Sequence, residues 1–212
     1  MVLGSAMGGG AALIIYSLSR IPHQVAVGIL DRDQATHGQY ILGVPVLGST
    51  ANAHSLWKAG QYDAAVIAFN SDLDARAALF EELSRLRVPF ANVIDPAADV
   101  RLGASIGTGN VILAFCHVGP FASMGNDNFL SCYTCIEHHC QVGDHCAVEP
   151  AVAFSGRVRV GDRVRFGTRF GVEPDITIGS DAVIASGVVI TQAVPPRTTV
   201  KIRVTYTISP RA

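Results

Sequence analysis

Apolar side chains recur at every sixth residue through the second half of the chain: Ile94, Val100, Ile106, Ile112, Val118, Met124, Leu130, Ile136, Val142, Val148, Phe154, Val160, Phe166, Val172, Ile178, Ile184 and Ile190. With 49% of all residues hydrophobic, seventeen successes in a row have a chance on the order of one in a hundred thousand. One residue after these anchors stand Gly107, Gly119, Gly125, Gly143, Gly161, Gly167 and Gly179, or Glu137, Glu149 and Glu173. Four residues after them come mostly small side chains, Ala98, Ala104, Cys116, Ala122, Thr134, Cys140, Cys146, Val152, Val158 and Val164, which should also point inward. A period of six is the mark of a parallel β-helix, in which each hexad makes one short strand and one corner and three hexads close a triangular coil. Residues eighteen apart then lie directly above one another at a strand spacing of about 4.8 Å. The seventeen hexads give nearly six coils.

Residues 1–93 follow another rhythm. Val2 and Leu3 begin a strand, Gly4 to Gly10 form a glycine-rich turn, and Ala11 to Ser19 a helix. Val25 to Leu30 reads as a strand ending at Asp31, Thr50 to Ala59 as a helix, Ala64 to Phe69 as a buried strand and Leu73 to Arg87 as an amphipathic helix. Val88 to Val93 is expected to be the last strand and the bridge into the coil. Alternating strands and helices imply a small parallel, Rossmann-like sheet. The expected organisation is therefore an α/β domain over 1–93 and an all-β parallel β-helix over 94–212.

Composition removes several classes of function. Sixteen basic against seventeen acidic residues give a net charge of −1, so no electrostatic footprint for nucleic acid or for a membrane surface exists. No apolar run approaches the roughly 20 residues needed to cross a bilayer, and the expected location is cytoplasmic. Cys116, Cys132, Cys135, Cys140 and Cys146 are odd in number and crowd into one segment, unlike a secreted disulfide framework. Their register makes Cys116, Cys140 and Cys146 core residues rather than zinc ligands, and His117, His138, His139 and His145 show no metal-site spacing, so no metal is expected. Arg157, Arg163 and Arg169 fall on three different corners and form no common patch.

Two constellations carry chemistry. In the turn Gly4-Ser5-Ala6-Met7-Gly8-Gly9-Gly10, backbone N–H groups at a helix start can hold a phosphate, and Asp31 at the next strand end can meet a nucleotide's hydroxyls or base. His138 stands two residues past its anchor, facing outward, with Gly156 one coil above it. A histidine is the natural general base for an amine or hydroxyl proton, and a backbone N–H one strand away can stabilise the oxyanion of a thioester under attack.

The glycine-rich turn, the Gly28-Ile29-Leu30-Asp31 strand end, the Pro45-Val46-Leu47-Gly48 segment and Ile136-Glu137-His138-His139-Cys140 within a hexapeptide coil together resemble the NeuD/PglD-like group of sugar O- and N-acyltransferases. The resemblance implies a left-handed coil, a homotrimer, a nucleotide-linked sugar on the N-terminal domain, and acetyl-coenzyme A as acyl donor between adjacent β-helices. It implies that His138 is the catalytic base and that Gly156 faces the thioester. By the same resemblance Thr168 and Ser186 touch coenzyme A, while Gly4, Ser5, Gly9, Asp31 and Gly48 hold the nucleotide sugar. The sequence also departs from the family: the acid that follows the base is His139, leaving Glu137 on its other side; a second histidine is Ala147; a strand-end glycine is Phe69; and the C-terminal Gly-Asn-Pro is replaced by Lys201-Ile202-Arg203-Val204. The implied activity is acetylation of an amino group on a nucleotide-linked 4-amino sugar. O-acetylation of a sugar such as sialic acid, a non-catalytic hexapeptide scaffold and a metal hydratase are the alternatives.

Overall fold

The structure, a computed structural model, describes residues 1–4 and 9–202. Five short strands, β1 (Val2–Leu3), β2 (Ile29–Leu30), β3 (Tyr40–Ile41), β4 (Val44–Gly48) and β5 (Val66–Ile67), form one sheet in the order β3-β4-β2-β1-β5. Helices α1 (Gly9–Arg20), α2 (Ala53–Lys58) and α3 (Leu73–Arg85) follow β1, β4 and β5. β1 is paired in parallel on both sides, Val2 with Ile29 and with Val66, and is wholly buried. Asp72 caps α3 by accepting the Ala75 N–H.

Three sequence expectations need correction here. The second strand is confined to Ile29–Leu30, and β3 and β4 form an antiparallel hairpin turning at Leu42 and Gly43, both at positive φ. That hairpin lies outside the simple strand-helix alternation. Val88 to Val93 is not a sixth strand: Phe90 makes one isolated bridge to Ala65, because Val93 is already committed to Val111 in the first coil.

From Val93–Ile94 to Val189–Ile190, seventeen two-residue strands stack into three parallel sheets, and the second residue of each strand is the anchor read from the sequence. Pairing is strictly eighteen residues apart, as in Cys135 with Ala153 and Ile136 with Phe154. The anchors fill the interior with the small positions, Cys116, Cys140, Cys146 and Thr134 among them, and Phe166 stacks on Phe170 at 5.0 Å. Val100 is the exception, 36% exposed, because its strand ends its sheet and no coil lies beneath it. The register also continues past Ile190 with one hexad shortened by two residues: Val194 bridges to Ile178, and Thr199–Val200 pairs with Val183–Ile184.

The corners have their own rule. The third residue after the anchor takes positive φ at every corner from Phe115 to Asp181, and none of these residues is glycine. A left-handed non-glycine residue costs about 1–2 kcal/mol, which the coil offsets at every one of these corners but Phe121 by hydrogen-bonding the residue's N–H to the coil below, as Arg157 N–H does to His138 O at 3.0 Å.

One outer face of the coil is covered. Val93, Val111, Phe129 and Ala147 point outward on a single sheet yet are buried, the first three of them packed in one cluster with α1 and the N-terminal sheet. Ser17 and Arg20 of α1 both reach Asp95, at 2.8 and 3.1 Å.

Candidate active site

His138 sits at the corner that follows Cys135–Ile136, half-buried, with His139 exposed beside it. Its Nδ1 lies 3.1 Å from His139 Nδ1, so one imidazole donates and the other accepts. When His138 is the donor, its Nε2 carries a lone pair, the form a general base requires. His139 is fixed by its own N–H on Pro120 O at 3.1 Å and by its ring 5.1 Å from Phe121.

Gly156 lies one coil above. A Cβ built there would stand 2.5 Å from His138 Cε1 and 2.6 Å from Nε2, so only a residue without a side chain leaves the Nε2 edge of the ring unobstructed. The Gly156 N–H meets no acceptor among the described residues. Glu137 is turned to other work: its carboxylate accepts the Cys135 thiol at 3.7 Å. Burial, with the Glu137 charge second, pushes that thiol up to about 11. A further carboxylate stands in the same corner column. Asp175 is clamped by Arg157 at 2.6 and 2.7 Å, which holds it below the usual carboxylate range, with Arg159 and His138 adding to the effect. The signal for it was present in the sequence, since His139, Arg157 and Asp175 are spaced by eighteen.

A cavity of about 820 Å³ opens at the carboxyl ends of β1, β2 and β5 and is lined by Gly4, Asp31, Ser49, Phe69, Asp72 and Glu82 among others. Such a crevice beyond the strand ends is where open α/β sheets bind ligands. Gly4 is required by its φ of +89° and by Phe69, whose ring a Cβ would meet at 2.6 Å. Asp31 is 9% exposed; its N–H donates to Gly48 O at 2.8 Å and its carboxylate accepts the Asp33 N–H at 2.8 Å. Gly48 thus braces the turn that carries Asp31. Gly9 opens α1 and does not line the cavity, and Ser5 lies outside the described residues.

Thr168 and Ser186 are brought together at another corner, where Thr168 N–H donates to Ser186 Oγ at 3.0 Å; both are exposed. Within one chain the cavity, the His138 corner and the Thr168–Ser186 corner are three separate places, with no hydrogen bond, ion pair or ring contact joining them among the described residues. The sheet containing Cys135–Ile136 and Ala153–Phe154 forms the face between the last two. The other two histidines of the coil are occupied elsewhere: His117 faces Asp99 at 3.1 Å, and buried His145 faces Asp127 at 2.9 Å.

No protein-family model matches the chain, and no curated protein matches it in sequence. Solved structures do. Perosamine N-acetyltransferase from Caulobacter crescentus, determined as a histidine-to-asparagine variant with CoA and GDP-perosamine, has a TM-score of 0.85 and 25% identity over 93% of this chain and 90% of that one. The acetyltransferase domain of PglB from Neisseria gonorrhoeae with acetyl coenzyme A has a TM-score of 0.83 and 25% identity, covering 93% of each chain. WeeI from Acinetobacter baumannii, at 20% identity and TM-score 0.59, shares the fold. Over nearly its full length, with a hexapeptide coil and an Ile-Glu-His-His-Cys corner, the chain is thus similar to a perosamine N-acetyltransferase and to the acetyltransferase domain of PglB.

Proposed function

We propose that this protein transfers the acetyl group of acetyl-coenzyme A to an amino group of a nucleotide-linked sugar. The observation that carries the reading is the likeness, over 93% of the chain, to an N-acetyltransferase solved with CoA and GDP-perosamine and to an acetyltransferase domain solved with acetyl coenzyme A. In this reading residues 1–93 are a Rossmann-like nucleotide-sugar domain, residues 94–212 a left-handed β-helix, and the chain acts as a homotrimer. A cytoplasmic setting, where acetyl-coenzyme A is made, fits the same reading.

Acetyl-coenzyme A supplies the acyl group as a thioester. His138 Nε2 takes the proton from the acceptor nitrogen as that nitrogen bonds to the carbonyl carbon, the Gly156 N–H receives the charge that develops on the carbonyl oxygen, and as the carbon–sulfur bond breaks the proton passes from His138 to the departing sulfur, so that coenzyme A leaves as the thiol. Gly4, Ser5, Gly9, Asp31 and Gly48 are assigned to the nucleotide sugar, and Thr168 and Ser186 to coenzyme A. His139 receives the other nitrogen of His138. Glu137, bonded to Cys135, contributes negative charge near the corner rather than contact with the ring. Because the cavity and the two corners stand apart in one chain, a neighbouring copy supplies the missing wall.

The test is release of free thiol from acetyl-coenzyme A by the purified protein with GDP- and UDP-linked 4-amino sugars. Thiol release only when both substrates are present supports the proposal. Binding of a sugar nucleotide with no thiol released from acetyl-coenzyme A overturns it in favour of another donor or a binding scaffold.

A further inference from the structure

The seam between the N-terminal sheet and the coil holds a charge that the proposed chemistry does not use. Arg76 of α3 is wholly buried, its side chain turned away from the cavity. Its Nη1 donates to Ile67 O at 3.1 Å and to Phe69 O at 2.7 Å, and its Nε to Asp127 O at 3.0 Å. Its Nη2 stands 2.7 Å from the Asp127 carboxylate as an ion pair. Asp127, equally buried at a corner of the coil, has its other oxygen 2.9 Å from His145 Nδ1, and the His145 ring packs edge-on against Phe80 of α3.

These contacts converge on one stretch of chain. The carbonyl of Phe69 is held by Arg76, Asn70 Nδ2 donates to Glu149 at 3.3 Å, and the carbonyl of Ser71 accepts from Arg165 Nη2 at 2.6 Å. Three consecutive residues after β5 are thus fastened to the coil, directly or through Arg76. The same stretch forms a wall of the cavity through Phe69, Ser71 and Asp72, and the Phe69 ring lies against Gly4. Burying a guanidinium and a carboxylate is weak support for stability, since a well-packed apolar pair of similar volume often serves as well. What the ion pair supplies that an apolar pair lacks is direction: two carbonyls on one side and a carboxylate on the other fix where the stretch sits relative to the coil.

We propose that Arg76, through Asp127, is a positioning residue for the acyl acceptor, holding residues 69–71 so that a sugar nucleotide in the cavity is presented in a fixed relation to the coil. The inference rests on the reading of the cavity as the nucleotide-sugar site. Arg165 and Glu149 act in the same way on Ser71 and Asn70.

The variant Arg76→Met with Asp127→Asn removes both charges with little change of volume at either position, and asparagine tolerates the positive φ of residue 127. Titration calorimetry would compare it with the wild type, using GDP- and UDP-linked 4-amino sugars and, separately, CoA. The expected result is a sugar-nucleotide Kd raised about tenfold or more, with the CoA Kd changed less than about twofold. Should that variant fail to fold, Arg165→Met, which removes only the link to Ser71 from a half-buried position, is expected to raise the sugar-nucleotide Kd about threefold. An unchanged sugar-nucleotide Kd in a folded variant, or an equal loss for CoA, would reduce the cluster to a structural pair. A wild-type protein that binds no sugar nucleotide would instead remove the reading of the cavity, and the role of Arg76 with it.

Discussion

At the scale of single residues, the account turns on His138 and on the missing side chain at Gly156. General-base action contributes typically about 10²- to 10⁴-fold, so His138→Ala should lower kcat by that factor, roughly 3–5 kcal/mol of transition-state stabilisation. Steady-state kinetics on a variant with unchanged circular dichroism checks this. Gly156→Ala should also abolish most turnover, because its Cβ would meet the imidazole at 2.5 Å; activity close to wild type would show that the ring is not held there. The cysteines give a test of the interior. Burial pushes Cys116 and Cys146 each up to about 12 and raises Cys140. In the folded protein at pH 8 these three thiols should therefore stay silent to a disulfide reagent, and all five should react after unfolding. Native reaction of more than two thiols would contradict their placement.

The corner residues were only partly legible in the sequence. His138 and Gly156 follow from a spacing of eighteen, because stacking in a coil is a matter of counting. The Nδ1 contact to His139 and the clamp of Arg157 on Asp175 depend on which corner residue takes positive φ, and in their column a glycine marks that position only at Gly103.

At the scale of elements, the six-residue period carries nearly the whole coil, and its failures have physical causes. Val100 keeps the period but lies at an uncovered end, and the coil after Ile190 keeps its interior while losing two residues from the count. Two of the N-terminal strands, β2 and β5, are shorter than the apolar runs that hold them, because a run such as Val25–Leu30 does not reveal where its pairing partners stop. The covered outer face was written in Val93, Val111, Phe129 and Ala147, a column that only becomes visible once the coil is drawn. Two substitutions separate ends from interior. Phe166→Ala, in the stack with Phe154 and Phe170, should cost about 3–5 kcal/mol. Val100→Ala should stay within about 0.5 kcal/mol. Urea denaturation reads both, and similar losses at the two sites would undo the distinction.

At the scale of the whole molecule, the parts of the proposed site lie at places one chain does not join. A second copy that completes the site predicts complementation. Asp31→Ala, altered in the cavity, and His138→Ala, altered at the base, should each be inactive alone and should recover activity when unfolded and refolded together. Two sites complete within single chains would give no recovery, and a monomer by light scattering would point the same way.

The central claim, acetyl transfer to the amine of a sugar nucleotide by His138, is met most directly by a single-turnover experiment. Enzyme, acetyl-coenzyme A and a GDP- or UDP-linked 4-amino sugar are mixed, and the sugar nucleotide is weighed by mass spectrometry. The account predicts an N-acetylated product with wild-type enzyme and slower formation by about 10²-fold or more with His138→Ala. Equal rates with the two proteins, or no acetylated sugar with either, would contradict it.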